Sequence, residues 1–128
     1  MKILIVDSKN PGSLELDRVV AGWGNQVSHV SSGALAVEAV KRHAFELVML
    51  ELFLQDTMGY EIVPDLKLFN PGVSIIIMSE KNDPELEMKS RESGIIFFME
   101  KPVRLEQLKQ ILNQLSKHNH NFGGKHYV

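Results

Sequence analysis

The stretch FELVMLELFLQDTMGYEI, residues 45–62, has the pattern of a strand, a loop and the start of a helix. Its run LVML is continuous and apolar, which is typical of strands in parallel sheets that are buried on both faces. An acidic residue, Glu51, follows this run directly. Because open parallel sheets place their sites beyond the carboxyl ends of their strands, we predict that Glu51 lies at a functional edge.

The rest of the chain repeats this alternation of strand and helix. The runs ILIV (3–6), IIIM (75–78) and IIFFM (95–99) predict further buried strands, and QVSHV (26–30) alternates as an edge strand would. Apolar residues at helical spacing predict helices around residues 16–23, 34–40, 62–66 and 105–115, and a polar helix capped by Asp83 with Pro84 in its first turn. We therefore predict one α/β domain over residues 1–117, a three-layer sandwich with right-handed crossovers.

The bulk properties exclude several classes of function. The 128 residues include no cysteine, so disulfides and thiol catalysis are excluded. The net charge of -2 and the lack of a basic stripe argue against nucleic-acid binding. The opening apolar run is too short for a signal peptide or a membrane span, so we expect a cytoplasmic protein that does not bind membranes.

The end of the chain is polar and contains glycine, so we expect residues 118–128 to form a flexible tail. Its histidines, His118, His120 and His126, are expected to be solvated rather than to bind a metal.

Chemically active side chains follow the predicted strands at their carboxyl ends. Asp7 and Ser8 follow the first strand, Ser79 the fourth and Lys101 the fifth. If the strands are parallel, Asp7, Glu51, Ser79 and Lys101 share one edge of the sheet. We therefore expect acids, a hydroxyl and an amine to meet in one small cleft.

Four segments in this order carry a family resemblance: ILIVDS, LVMLELFLQDTMGYEI, IIIMSEK and GIIFFMEKP. With them the chain resembles a response-regulator receiver domain of two-component signalling over nearly its whole length. The resemblance implies a flavodoxin-like, doubly wound sheet of five parallel strands in the order 2-1-3-4-5.

The resemblance also implies a phosphoryl-transfer site. Glu51 occupies the position of the phosphate-accepting aspartate. A magnesium ion would be held there, by an acidic pair at the positions of Asp7 and Ser8 and by the backbone carbonyl of Phe53. Magnesium prefers several oxygen ligands in a near-octahedral array.

Four further positions correspond to the family's phosphate pocket and switch. Lys101 would pair with phosphoryl oxygens, and Pro102 would follow it through a cis peptide bond. Ser79 matches the switch hydroxyl that moves to bond the phosphoryl group. Phe98 matches the switch aromatic, and without a tyrosine hydroxyl we expect it to stay buried.

Two positions depart from the family pattern. Glutamate carries its carboxylate about 1.5 Å further out than aspartate, and Ser8 removes one negative charge from the metal site. We expect phosphorylation to be lost or very inefficient, and magnesium to bind weakly if at all. Paired with Lys101, Glu51 would either imitate the phosphorylated state or lock the inactive one.

The leading interpretation is a stand-alone, degenerate receiver that works as a protein-binding module and is not an enzyme. Its partners would be a histidine kinase or a downstream signalling protein, with a homodimer through the fourth helix, fifth strand and fifth helix. In one alternative, a histidine kinase still phosphorylates Glu51 or Asp56. Another is a flavodoxin-like protein that binds FMN, although Asp7 would repel the flavin phosphate.

Overall fold

The computed structural model describes the backbone of residues 1–126 and the side chains of residues 1–117. Its strands are β1 Lys2–Val6, β2 Gln26–Val30, β3 Leu47–Glu51, β4 Ser74–Ser79 and β5 Phe97–Glu100. Its helices are α1 Pro11–Gly22, α2 Gly33–Arg42, α3 Gly59–Phe69, α4 Pro84–Glu92 and α5 Leu105–His126. The predicted alternation of strand and helix is confirmed.

All five strands form one parallel sheet in the order β2-β1-β3-β4-β5. Val6 lies beside Leu50, and Leu50 lies beside Ile77, so β1, β3 and β4 are in register at the centre of the sheet. The strand order implied by the resemblance is therefore confirmed. It brings the ends of β1, β3, β4 and β5 to one edge.

The two faces of the sheet carry separate cores because successive strand residues point to opposite sides. Leu4 and Val6 pack against α2 and α3, whereas Ile3 and Ile5 pack against α1 and α5. The three central strands are buried on both faces apart from the half-buried first residues of β1 and β4. Their continuous apolar runs reflect this double burial.

The two edge strands differ in how well the sequence predicted them. β2 is a partly exposed edge strand, as its alternation indicated. The run 95–99 was predicted to be buried throughout, but β5 begins only at Phe97 and lies at the other edge. Ile96 is 46% exposed. An edge strand lacks a neighbour on one side, so part of its apolar run remains in solvent.

Helix starts agree with the capping chemistry. Asp83 accepts hydrogen bonds from the backbone amides of Glu85 and Leu86, which caps α4 as predicted. The polar composition of α4 also predicted exposure, and Ser90 is its one buried residue. At α1, Asn10 and Ser13 form a reciprocal capping box.

The buried face of α2 differs from the predicted one. Leu35 and Val40 both belong to the apolar pattern that predicted this helix, but Leu35 is 49% exposed, whereas Ala36 and Val40 are buried. Small residues bring α2 close to the sheet, and the larger leucine points outward. Pro64 lies inside α3, although proline fits best in the first turn of a helix.

The prediction of a flexible tail at residues 118–128 stays a prediction. The side chains of His118, His120 and His126 lie outside the described part of the chain.

Candidate functional site

The site begins with Asp7, the residue that follows β1. Its backbone amide donates to the Val30 carbonyl over 3.1 Å, and its own carbonyl lies 2.8 Å from His29 Nε2. These contacts connect the backbone of Asp7 to the neighbouring strand β2. The residue is 4% exposed, so its carboxylate is held at the edge of the sheet out of bulk water.

Glu51 is the last residue of β3 and is 7% exposed. Its Oε2 accepts a hydrogen bond of 2.9 Å from the backbone amide of Phe53. Gly59 packs against the Glu51 backbone so closely that a Cβ there would lie 2.5 Å from the Glu51 carbonyl oxygen. The start of α3 therefore fixes the end of β3.

Lys101 follows β5 and closes the site. Its backbone amide donates to the Ser79 carbonyl over 2.8 Å. Its ammonium lies 2.5 Å from Asp7 Oδ2 and also bonds Glu51 Oε1. The structure thus brings together three of the four side chains that the sequence placed at one edge, and the peptide bond to Pro102 is cis.

The three side chains form a buried charge cluster. The exposed fractions are 14% for Lys101, 6% for Asp7 and 9% for Glu51. Burial by itself lowers the pKa of the Lys101 ammonium, but the Asp7 and Glu51 carboxylates outweigh it and raise that pKa above its ordinary value. The ammonium therefore stays charged, and the cluster carries one net negative charge.

Ser79 lies at the same edge, but its hydroxyl does not join the cluster. The Ser79 Oγ accepts a hydrogen bond from the Lys81 amide and lies 3.1 Å from the Lys81 carbonyl. Phe98 is 9% exposed and packs in the core, with the Arg91 guanidinium 5.9 Å from its ring centre. Both switch positions are thus held on the β4 and β5 side of the cluster.

Ser8, the second member of the expected acidic pair, offers a hydroxyl in place of a carboxylate. The Ser8 hydroxyl is exposed and accepts a hydrogen bond of 3.0 Å from Asn10 Nδ2. The Asp7 and Glu51 carboxylates both pair with the Lys101 ammonium. Magnesium requires several free oxygen ligands. With Ser8 in place of an acid and both carboxylates paired with the ammonium, the residues present fit this ion poorly.

Phe53 lies beside the cluster and is 37% exposed. The Lys81 ammonium sits 4.9 Å from the centre of its ring, a cation–π distance. This contact links the loop after β3 to the loop after β4. It lies beside the carboxyl end of β3, where Glu51 is the last residue.

Asp56, in the loop after β3, has a structural role. Its two carboxylate oxygens accept hydrogen bonds from the backbone amides of Gly33 and Ala34, at 2.9 Å and 3.0 Å. These amides belong to the first turn of α2, and they hold the pKa of the Asp56 carboxyl below its ordinary value. Asp56 therefore joins the loop to α2.

An open cavity of about 580 Å³ lies next to the cluster, between α1 and the segment after β5. Asp7 and Lys101 form part of its wall, and Leu16, Val103 and Leu105 form much of the rest. The cavity thus borders the cluster at Asp7 and Lys101, and Glu51 is not among its lining residues.

One buried contact beside the site was not predicted from the sequence. His29 lies on β2, and its Nδ1 is 2.6 Å from Asp17 Oδ2 on α1, while Nε2 faces the Asp7 carbonyl. The alternation of β2 places His29 and Val27 on the face toward α1, which was the available signal. The pairing with Asp17 requires the packing of α1 and could not be read from that alternation.

The sheet order and the acid–lysine cluster give the architecture that the resemblance to receiver domains implies. The chain belongs to the response regulator receiver domain family, whose model matches residues 3–113. Receiver domains of two-component signalling are generally signalling modules without enzymatic activity, and they interact with histidine kinases and downstream proteins. The family match gives no support to the alternative of a flavin protein.

The relatives differ in length. The chain is 27% identical over 116 residues to the transcriptional regulatory protein ZraR of Klebsiella oxytoca, covering 91% of this chain and 26% of that protein. It is 25% identical over 113 residues to the sporulation initiation phosphotransferase F of Bacillus subtilis, covering 88% of this chain and 91% of that protein. The chain thus spans about a quarter of the first relative and most of the second.

Solved structures show the same fold. A two-component response regulator from Clostridium difficile superposes with a TM-score of 0.85 at 20% identity, covering 91% of this chain and 96% of that one. Within the described residues, no helix has the length and apolar character needed to cross a membrane.

Proposed function

We propose that this chain is a receiver that does not depend on phosphorylation and works as a protein-interaction module in two-component signalling. The observation that carries the proposal is the position of Glu51. It stands where the family has its phosphate-accepting aspartate, and its carboxylate already pairs with the buried Lys101 ammonium.

Both oxygens of Glu51 are engaged. Oε1 bonds Lys101 and Oε2 accepts from the Phe53 amide, so attack on a phosphoryl group would have to compete with one of these hydrogen bonds. The additional methylene also shifts the carboxylate by about 1.5 Å. A displacement of about 1 Å from a near-attack geometry costs on the order of a hundredfold in rate. We infer that transfer to Glu51 is lost or very slow.

The alternative that a histidine kinase phosphorylates Asp56 is disfavoured by the contacts of that residue. Its carboxylate caps α2 through Gly33 and Ala34. A reaction there would require the carboxylate to leave both amides. It also lies beyond the strand end, away from the Lys101 ammonium that would stabilise a transferred phosphoryl group.

The position of Ser79 favours one of the two states that Glu51 could hold. In the phosphorylated family state this hydroxyl bonds the phosphoryl group, but here it bonds the backbone of Lys81. We therefore favour a locked, unphosphorylated-like state over an imitation of the phosphorylated one. In either state, the surface offered to partners does not vary with phosphorylation.

The partners and location follow from the family. We propose that a histidine kinase or a downstream signalling protein binds this module in the cytoplasm. We further propose a homodimer through α4, β5 and α5. The net charge of -2 gives no support to a nucleic-acid partner.

The proposal is tested with a small-molecule phosphodonor, acetyl phosphate, in the presence of MgCl2. Intact mass spectrometry then measures the fraction of protein that gains one phosphoryl group. The double variant S8D/E51D, which restores both acids of the family pattern, is the matched control and is expected to gain it. The unchanged chain is expected to remain unmodified.

Efficient modification of the unchanged chain would contradict the proposal. Two variants then identify the acceptor: loss of the adduct in Glu51→Gln assigns it to Glu51, and loss in Asp56→Asn assigns it to Asp56.

A further inference from the structure

The Lys101 ammonium occupies the place between two carboxylates that would otherwise attract a metal ion. It lies 2.5 Å from Asp7 Oδ2 and bonds Glu51 Oε1. The exposed fractions of the Lys101, Asp7 and Glu51 side chains are 14%, 6% and 9%, so each side chain is at least 86% buried. The ammonium therefore neutralises one of the two negative charges from inside the chain.

A divalent ion would find too few ligands here. The Ser8 hydroxyl is turned to Asn10, and Glu51 Oε2 already accepts a hydrogen bond from the Phe53 amide. A metal at Asp7 and Glu51 would have to displace the ammonium from both carboxylates. The ammonium therefore competes with such an ion for the same carboxylate oxygens.

We propose that the Lys101 ammonium is the resident cation of this edge, and that the chain takes up no divalent metal ion between Asp7 and Glu51. The inference deepens the proposed function because it concerns the same site. It also assigns Lys101 a role different from contacting a phosphoryl group: it is the built-in counter-ion of two carboxylates.

Removing the Lys101 charge should have an effect that is easy to measure. Without the Lys101 charge, Asp7 and Glu51 form a pair of buried carboxylates with two negative charges and no counter-ion. Such a pair is destabilised by repulsion and attracts a divalent cation. Removal of the lysine charge is therefore expected to create metal binding that the unchanged chain lacks.

The experiment compares the unchanged chain with Lys101→Met. Thermal unfolding is followed in MgCl2 and in KCl of equal ionic strength, and Mn²⁺ binding is followed by the loss of the free-ion electron paramagnetic resonance signal. Lys89→Met, which removes an exposed lysine of α4 that pairs with Glu85, is the matched control.

The expected result is a contrast between the variants. The unfolding midpoint of the unchanged chain and of Lys89→Met does not respond to MgCl2 beyond the KCl reference. The midpoint of Lys101→Met is lower in KCl and rises with MgCl2, and its Mn²⁺ affinity exceeds that of the unchanged chain by on the order of tenfold or more. If Lys101→Met does not fold, Lys101→Gln keeps much of the side-chain volume and carries the same expectation.

Two results would overturn the inference. One is Mn²⁺ binding by the unchanged chain that is lost in Asp7→Asn. The other is a Lys101→Met or Lys101→Gln protein whose response to the ions equals that of the unchanged chain. Metal binding without phosphorylation would overturn this inference and leave the proposed function intact, whereas phosphorylation of the unchanged chain would overturn the function itself.

Discussion

One methylene group separates Glu51 from the aspartate that the family pattern has at this position. The Glu51 carboxylate contacts the Lys101 ammonium and the Phe53 amide. In the proposed function it is therefore a structural partner rather than a nucleophile.

If Glu51 is a structural partner, neutralising it lowers stability. We expect Glu51→Gln to reduce the free energy of unfolding by about 1–3 kcal/mol, because a charge-assisted contact is lost while Asp7 still pairs with Lys101. Urea denaturation measures the change. Glu80→Gln, an exposed acid at the end of β4, is the control and is expected within about 0.5 kcal/mol of the unchanged chain. Equal effects of the two substitutions would argue against a structural Glu51.

Asp56 makes stability depend on pH. In the folded state, the amides of Gly33 and Ala34 lower the pKa of its carboxyl below the ordinary value of 3.8. The unfolded chain therefore binds the proton more readily than the folded chain does. The contribution is therefore present above about pH 4 and is lost as the pH falls through the lower folded pKa.

The corresponding variant is Asp56→Asn. Near neutral pH we expect it to be less stable than the unchanged chain by about 1 kcal/mol or less, since Asp56 is exposed and solvent screens its charge. The difference should shrink as the pH falls below about 4 in urea titrations. Asp65→Asn, an exposed acid of α3, is the control. A difference that grows with acidity would contradict this assignment.

At the scale of elements, close packing holds the end of β3 against the start of α3. A Cβ at residue 59 would lie 2.5 Å from the Glu51 carbonyl oxygen and 3.2 Å from a Leu50 side-chain carbon. Neither backbone nor core can yield easily there. The helix must therefore begin with a glycine if Glu51 is to keep its position.

We expect Gly59→Ala to destabilise the protein by about 1–3 kcal/mol, because the additional methyl group forces α3 away from β3. The control is Gly72→Ala, where a Cβ would have no neighbour within 4 Å. Chemical denaturation of both variants checks the prediction. A tolerated methyl at residue 59 would mean that α3 can shift freely, contrary to the packing described.

His29 and Asp17 join the edge strand β2 to α1 on the other face. Their side chains are 7% and 23% exposed, and the two facing atoms are 2.6 Å apart. In a double-mutant cycle of His29→Gln and Asp17→Asn, we expect a coupling energy of about 1 kcal/mol or more. The exposed pair Arg18 and Glu15 of the same helix should give about 0.5 kcal/mol or less. Similar coupling in both pairs would refute a special role for His29.

For the whole molecule, the sequence predicted those features that depend on local pattern. The runs of β1, β3 and β4 were identifiable because double burial excludes polar residues from them. The edge position of β5 was not, since Phe97 and Phe98 look the same whether or not a neighbouring strand follows. The outward position of Leu35 depends on how closely α2 approaches the sheet, which the sequence of α2 does not specify.

The same distinction applies to the site. Strand ends place Asp7, Glu51 and Lys101 at one edge, so their meeting followed from the topology. The bond between Ser79 and Lys81 depends on the conformation of a loop, and the contact of Asp56 with α2 depends on two loops together. Neither leaves a periodic signal in the sequence.

Two exposed apolar side chains lie near the surface of the proposed homodimer. Met88 on α4 is 60% exposed and Ile96 beside β5 is 46% exposed. If these elements form the proposed homodimer, Ile96→Asp should weaken it by about tenfold or more, because a charge would be buried. Sedimentation velocity over a range of concentrations measures the effect, with Leu68→Asp on α3 as the control. A chain that is monomeric at every concentration would exclude the dimer.

The cluster joins residues that are far apart in sequence and that are therefore synthesised at different times. Lys101 is 94 positions from Asp7 and 50 from Glu51. A ribosome makes the N-terminal part first, so both carboxylates are exposed to solvent before their lysine has been synthesised. The nascent chain therefore carries both acids without their lysine partner until Lys101, directly after β5, has been added.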